Sequence, residues 1–195
     1  MKELNLKLIK EELREFSVDN NSYINTYSEF IKYFRQIETI EKHHLIISSH
    51  FVYGWMPTIL SLNQENLPKV LELLNQAKKG YLLTAPELDI LKNSINNSLV
   101  GLSKLLHFIR PEVYAIWDSR IFKFLTGKKS TYGIGKPTAY LNYIQDLKRI
   151  TNQKEFDQLF QIIQESFDYR ISKLRAIEIV MFQSKTDFGK SLINQ

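Results

Sequence analysis

A lysine set in an apolar run and an aspartate fourteen residues downstream are the two side chains of this sequence best suited to covalent chemistry. Lys104 sits in SKLLHF (103–108), and Asp118 follows VYAIW (113–117). An amine kept from water loses proton affinity, and once neutral it is a nucleophile able to form a Schiff base. The same lysine can equally lay its stem on apolar surface and keep its head in water. Asp118 has two compatible roles. Its carboxylate can move a proton or stabilise a developing cation, and with Ser119 it offers a cap to the helix that Arg120 begins.

The elements around these two residues follow from their neighbours. Lys104 and His107 are three apart, so on a helix they share a face. Pro111 disfavours helical geometry at Arg110, which predicts that the lysine helix stops by Ile109. The β-branched and aromatic run 113–117 predicts an extended return. A helix rises about 1.5 Å per residue and an extended chain about 3.3 Å. The return is therefore long enough to bring Asp118 back beside the start of the lysine helix.

Downstream lies the glycine-rich loop GKKSTYGIGKP (127–137), which offers Lys128, Lys129 and Lys136 to a phosphate backbone. Its glycine spacing is not that of a P-loop, and neither is that of Gly189-Lys190-Ser191. Tyr132, Tyr140 and Tyr143 lie in or just after the loop, where they could stack on bases, although most aromatic residues must serve the core. His43, His44 and His50 share one predicted helix without the spacing of a His-Glu-x-x-His site. They read as core or polar-face residues, and no metal ligands are expected.

The net charge of +5 is concentrated: residues 101–150 carry nine basic and three acidic side chains. A basic surface confined to one region is the footprint of a polyanion partner, although a solvated lysine face would look the same. The 195 residues contain no cysteine, which excludes disulfides, thiol catalysis and cysteine-ligated metals. A charged start without a signal-peptide apolar region, together with the missing cysteines, leads to an expected cytoplasmic location. Residues 43–64 lack Asp, Glu, Lys and Arg but hold three histidines, Gly54, Pro57 and several serines. They read as a buried helix and a loop at 55–58, with no membrane span.

Helical periodicity covers nearly the whole chain. Stretches are predicted at 4–16, 24–37, 39–53, 66–77, 138–150, 154–167 and 171–183, the last apolar on several faces. Thr84-Ala85-Pro86-Glu87 is a capping box that opens a helix over 86–95. The expected fold is all-α, about nine or ten helices, in one domain over 1–195 or in two helical lobes with the segment 99–137 between them.

The segment 99–127 resembles the helix-hairpin-helix DNA glycosylases, the superfamily of 8-oxoguanine glycosylases and related endonucleases. There a hairpin glycine precedes a lysine on a short helix, and an aspartate opens a second helix after an apolar return. Gly101, Lys104 and Asp118 stand in that order. SKLLHFIR is similar to the Lys-x-x-x-His-Phe-Leu-Arg run of the archaeal 8-oxoguanine branch. The Ser-Lys-x-Leu-His-Phe, Pro and Trp-Asp-Ser pattern resembles that of bacterial 8-oxoguanine-glycosylase-like proteins. The departures are a Leu-Pro-Gly-x-Gly hairpin reduced to Leu99-Val100-Gly101, a shorter lysine-to-aspartate gap, and a histidine three residues after the lysine instead of four.

The resemblance implies an all-α fold and a role in DNA repair without a cofactor. Lys104 would displace a damaged base with help from Asp118. DNA would be held by Gly101, Ser103, His107, Arg120, Lys128, Lys129 and Lys136. The alternative is an inactive DNA-binding or interaction module on the same fold, in which Lys104 contacts phosphate and Asp118 only caps.

Overall fold

The structure is a computed structural model that describes residues 3–18, 22–54, 61–63 and 65–184. Among these residues it is all-helical. The elements are α1 (Leu6–Leu13), α2 (Ser22–Gln36), α3 (Lys42–Gly54), α4 (Leu67–Lys78), α5 (Ala85–Ser94), α6 (Leu99–Ile109), α7 (Ser119–Thr126), α8 (Pro137–Thr151), α9 (Lys154–Gln164) and α10 (Lys173–Gln183). No described helix is long and apolar enough to cross a membrane. The loop expected at 55–58 and the Gly189-Lys190-Ser191 run lie outside the described residues.

Local chemistry explains where the helices begin and end. Asn5 caps α1 by accepting the Leu8 N–H at 3.0 Å. The Thr84 backbone N–H donates to the Glu87 carboxylate at 2.7 Å, as the capping-box spacing predicts. Ser98 caps α6 and Ser172 caps α10, each accepting an N–H three residues on. Helix α6 stops where Pro111 predicts, with Arg110 leaving helical geometry at φ −149°, ψ 80°. Helix α7 ends on Gly127, whose φ of 65° suits a residue without Cβ.

Two helices are buried almost all round, and the others pack about them. Helix α6 packs against α2, α3, α4 and α5, whereas α10 packs against α1, α7, α8 and α9. Helix α5 also meets α8, joining the two groups. One apolar cluster runs through both, from Leu4 to Met181. In α6 only Val100 and Lys104 escape full burial. In α10 the stretch from Leu174 to Met181 is buried without a break, including Arg175 and Glu178.

The turn joining α5 to α6 differs from the sequence expectation. Leu99, Val100 and Gly101, read there as a reduced hairpin, form the first turn of α6 itself. The chain reverses at Asn96 and Asn97, both left-handed at φ 58° and 47°. Asparagine tolerates this conformation better than other residues with a Cβ. The turn is fastened from outside: the Ser61 N–H donates to Asn96 Oδ1 at 2.6 Å, and Leu62 bridges Ile95.

Candidate active site

Lys104 and Asp118 are brought into each other's electrostatic field because the return segment is tied down along α6. Two side chains of α6 make the ties. The Ser103 hydroxyl accepts the Trp117 N–H at 3.0 Å and lies within bonding distance of the carbonyls of Trp117 (3.1 Å) and Val100 (2.8 Å). One helical turn on, His107 Nδ1 donates to the Tyr114 carbonyl at 2.8 Å. A carbonyl can only accept, so Nε2 is the acceptor of the Tyr27 hydroxyl at 2.7 Å. Burial, aided by the nearby Arg175 charge, pushes the His107 pKa down to about 3, so the ring is neutral. The Tyr140 hydroxyl adds a third tie, to the Ala115 carbonyl at 2.9 Å.

At the end of this segment Asp118 caps α7, its Oδ1 accepting the Ile121 N–H at 2.9 Å. Lys104 is half-buried. Burial lowers its proton affinity, Asp118 opposes that most strongly, Glu178 also opposes it, and Arg175 adds to it. The lysine therefore belongs to a set of four ionisable groups drawn from α6, the cap of α7 and α10. A lowered proton affinity and a carboxylate in the same set are what an amine nucleophile and its proton partner require.

The α10 members of this set were missed in the sequence. Arg175 Nη1 donates to both Glu178 oxygens at 2.7 and 2.6 Å. The guanidinium also lies 4.8 Å from the centre of the Tyr27 ring. Glu178 is only 1 % exposed, and burial raises its pKa above the carboxylate range despite Arg175. The signal was present in LRAIEIV: a cation and an anion three apart in an otherwise apolar helix can be buried only as a pair. Tyr143 sits in the field of Glu178 and Asp118 with its hydroxyl buried and without a hydrogen-bond partner among the described residues.

The expected DNA-contacting residues divide by burial. Lys128, Lys129 and Lys136 are exposed on the 127–136 loop, which Trp117 Nε1 fastens by donating to the Ile134 carbonyl at 2.9 Å. Arg120 is half-buried, its guanidinium 4.7 Å from the Phe182 ring. Gly101, Ser103 and His107 are buried instead. Ser103 and His107 spend their polar atoms on the return segment. Gly101 faces Tyr53: an added Cβ would overlap the Tyr53 hydroxyl and lie 2.6 Å from its Cζ. In the fold these three have packing and tethering roles. Of the loop tyrosines, Tyr132 is 81 % exposed, whereas Tyr140 and Tyr143 belong to the core and are not open to bases.

The described residues that could hold a metal ion are Glu41, His43 and His44, whose ligand atoms lie within 4.8 Å of one another. His44 Nδ1 already accepts the Glu41 N–H at 3.1 Å, standing in for the glutamate of a capping box. His50, expected on the face of His43, turns its Nδ1 to the Ile46 carbonyl at 2.8 Å.

No protein-family model, curated protein or solved structure matches this chain.

Proposed function

We infer that the chain is a nucleic-acid-binding protein of helix-hairpin-helix glycosylase type, with Lys104 as the nucleophile that displaces a damaged base. The observation carrying this reading is the half-buried Lys104 amine on α6, whose proton affinity burial lowers, beside a return segment tied along α6 and ending in the Asp118 carboxylate. A neutral amine would attack the deoxyribose C1′. The new C1′–N bond forms as the bond to the base breaks, and the base leaves with the electron pair and takes up a proton. The substituted amine then loses a proton, its lone pair forms the C1′=N bond as the C1′–O4′ bond breaks, and O4′ leaves with the electron pair and takes up a proton, giving a protonated imine. Asp118 is the group suited to the proton steps and to the cationic character at C1′.

The inactive-module reading keeps one specific support. Asp118 is fully accounted for as the cap of α7, and Gly101 as the seat of Tyr53. Borohydride trapping separates the two readings. Duplexes carrying 8-oxoguanine or another damaged base, incubated with the protein and reduced, are expected to yield a covalent protein–DNA band. Lys104→Gln should lose that band yet still fold and bind. Asp118→Asn should also lose it while its melting temperature barely moves, because asparagine caps as well as aspartate. Equal trapping by Lys104→Gln, or no trapping across a panel of damaged bases, removes the enzymatic reading and leaves the binding module.

A further inference from the structure

A cleft whose lining includes neither Lys104 nor Asp118 opens elsewhere on the fold. It has a volume of about 750 Å³ and opens between α2, the α6–α7 connection, the end of α8, α9 and the start of α10. Four cations from three regions of the fold line it: Arg35 of α2, Lys148 of α8, and Arg170 and Lys173 at the approach to α10. Only one acidic side chain lines it, Glu112, and that carboxylate is 3.5 Å from Arg110. Lys173 has a partner in Asp157 at 2.5 Å, whereas Arg35, Lys148 and Arg170 have no ion pair among the described residues. Half-buried Phe160 adds aromatic surface to the same cleft, whereas Tyr27 and Ile31 back it from the core.

Lys148 is half-buried in this lining without a carboxylate partner among the described residues, and an anion bound among the cations would supply one. We propose that this cleft binds a nucleoside phosphate, with the phosphate groups between Arg35, Lys148 and Arg170 and the base against Phe160. The volume falls in the range of small-ligand sites. A nucleic-acid strand would instead call for cations spread along an open groove. Arginine supplies the bidentate geometry that phosphate oxygens accept. Neither Lys104 nor Asp118 lines the cleft, so this site does not rest on the glycosylase chemistry.

Calorimetric titration of the full chain with ADP, AMP, inorganic phosphate and a single-stranded oligonucleotide tests the assignment. Saturable ADP binding is expected, tighter than that of phosphate alone. Arg170→Ala with Lys148→Met should weaken it by about tenfold or more, the size of a lost charge-assisted hydrogen bond. Arg170 is exposed and methionine keeps the apolar stem of Lys148, so the variant should fold, as circular dichroism would verify. Lys128→Ala with Lys129→Ala, outside the cleft, should leave ADP binding intact. The proposal fails if ADP does not bind, if the cleft variant binds it unchanged, or if phosphate binds as tightly as ADP. Binding of the oligonucleotide alone, lost in the cleft variant, would also overturn it and mark the cleft as a strand path.

Discussion

His107 shows how a residue of catalytic type can be committed to architecture. Its two ring nitrogens join α2 to the return segment, through the Tyr27 hydroxyl and the Tyr114 carbonyl. Its folded pKa, about 3, lies below the ordinary 6.5. Between those values the unfolded chain binds a proton that the folded chain does not. The stability from neutral His107 is thus complete above pH 6.5 and drains away as pH falls toward 3. The slope from this group is on the order of 1 kcal/mol per pH unit. Glu178 acts in the opposite sense, since its raised pKa makes the folded chain the better proton binder above the ordinary carboxylate value. The two partly cancel in mildly acidic solution. Chemical denaturation from pH 7 to pH 3.5 should therefore show the steepest loss at its acid end. His107→Gln, less stable at pH 7, should have a flatter profile there. An unchanged acid slope in that variant would remove His107 as its source.

At the scale of elements, the tight seat of Tyr53 on α6 has a measurable consequence. Gly101→Ala has no room unless Tyr53 moves, and overpacking of this kind costs about 1–3 kcal/mol. The Tyr53 hydroxyl also reaches the Ile95 carbonyl at 3.4 Å, so the substitution should loosen the α5–α6 turn as well. Hydrogen exchange at Asn96 and Asn97 should speed up together with a lower melting temperature; unchanged values of both would mean that α3 shifts freely. Much of this scale was legible in the sequence. Pro111 set the end of α6, Thr84 and Glu87 the start of α5, and Asp118 the start of α7, because stop and cap signals act within a few residues. The Asn96–Asn97 turn was not legible, since no proline or glycine marks it and its fastening comes from residues 61–63. The roles of Ser103, His107 and Gly101 were hidden for the same reason: their partners are distant in the chain. Arg175 and Glu178 escaped notice inside an apolar run.

For the molecule as a whole, the charge distribution bears on how DNA would be approached. The exposed lysines 128, 129 and 136 lie on a loop fastened to the same return segment that ends in Asp118. If they meet phosphates, the logarithm of DNA affinity should fall linearly with the logarithm of salt concentration. Each lysine replaced by alanine should reduce that slope by about 0.9, through counterion release. Fluorescence anisotropy between low and moderate salt would measure it. An unchanged slope in the triple alanine variant would place the phosphate contacts elsewhere, and no binding at low salt would remove the DNA reading.

Trp117 gives the molecule an optical consequence. The chain has two tryptophans, and Trp117 is buried with its ring 5.0 Å from that of Tyr143. Its indole N–H also holds the lysine-bearing loop. Replacing Trp55 by phenylalanine would leave one emitter, excited directly or through tyrosine, at the junction of loop, return segment and candidate site. Its emission colour and lifetime would then register loop movement when a polyanion arrives, with no dye attached.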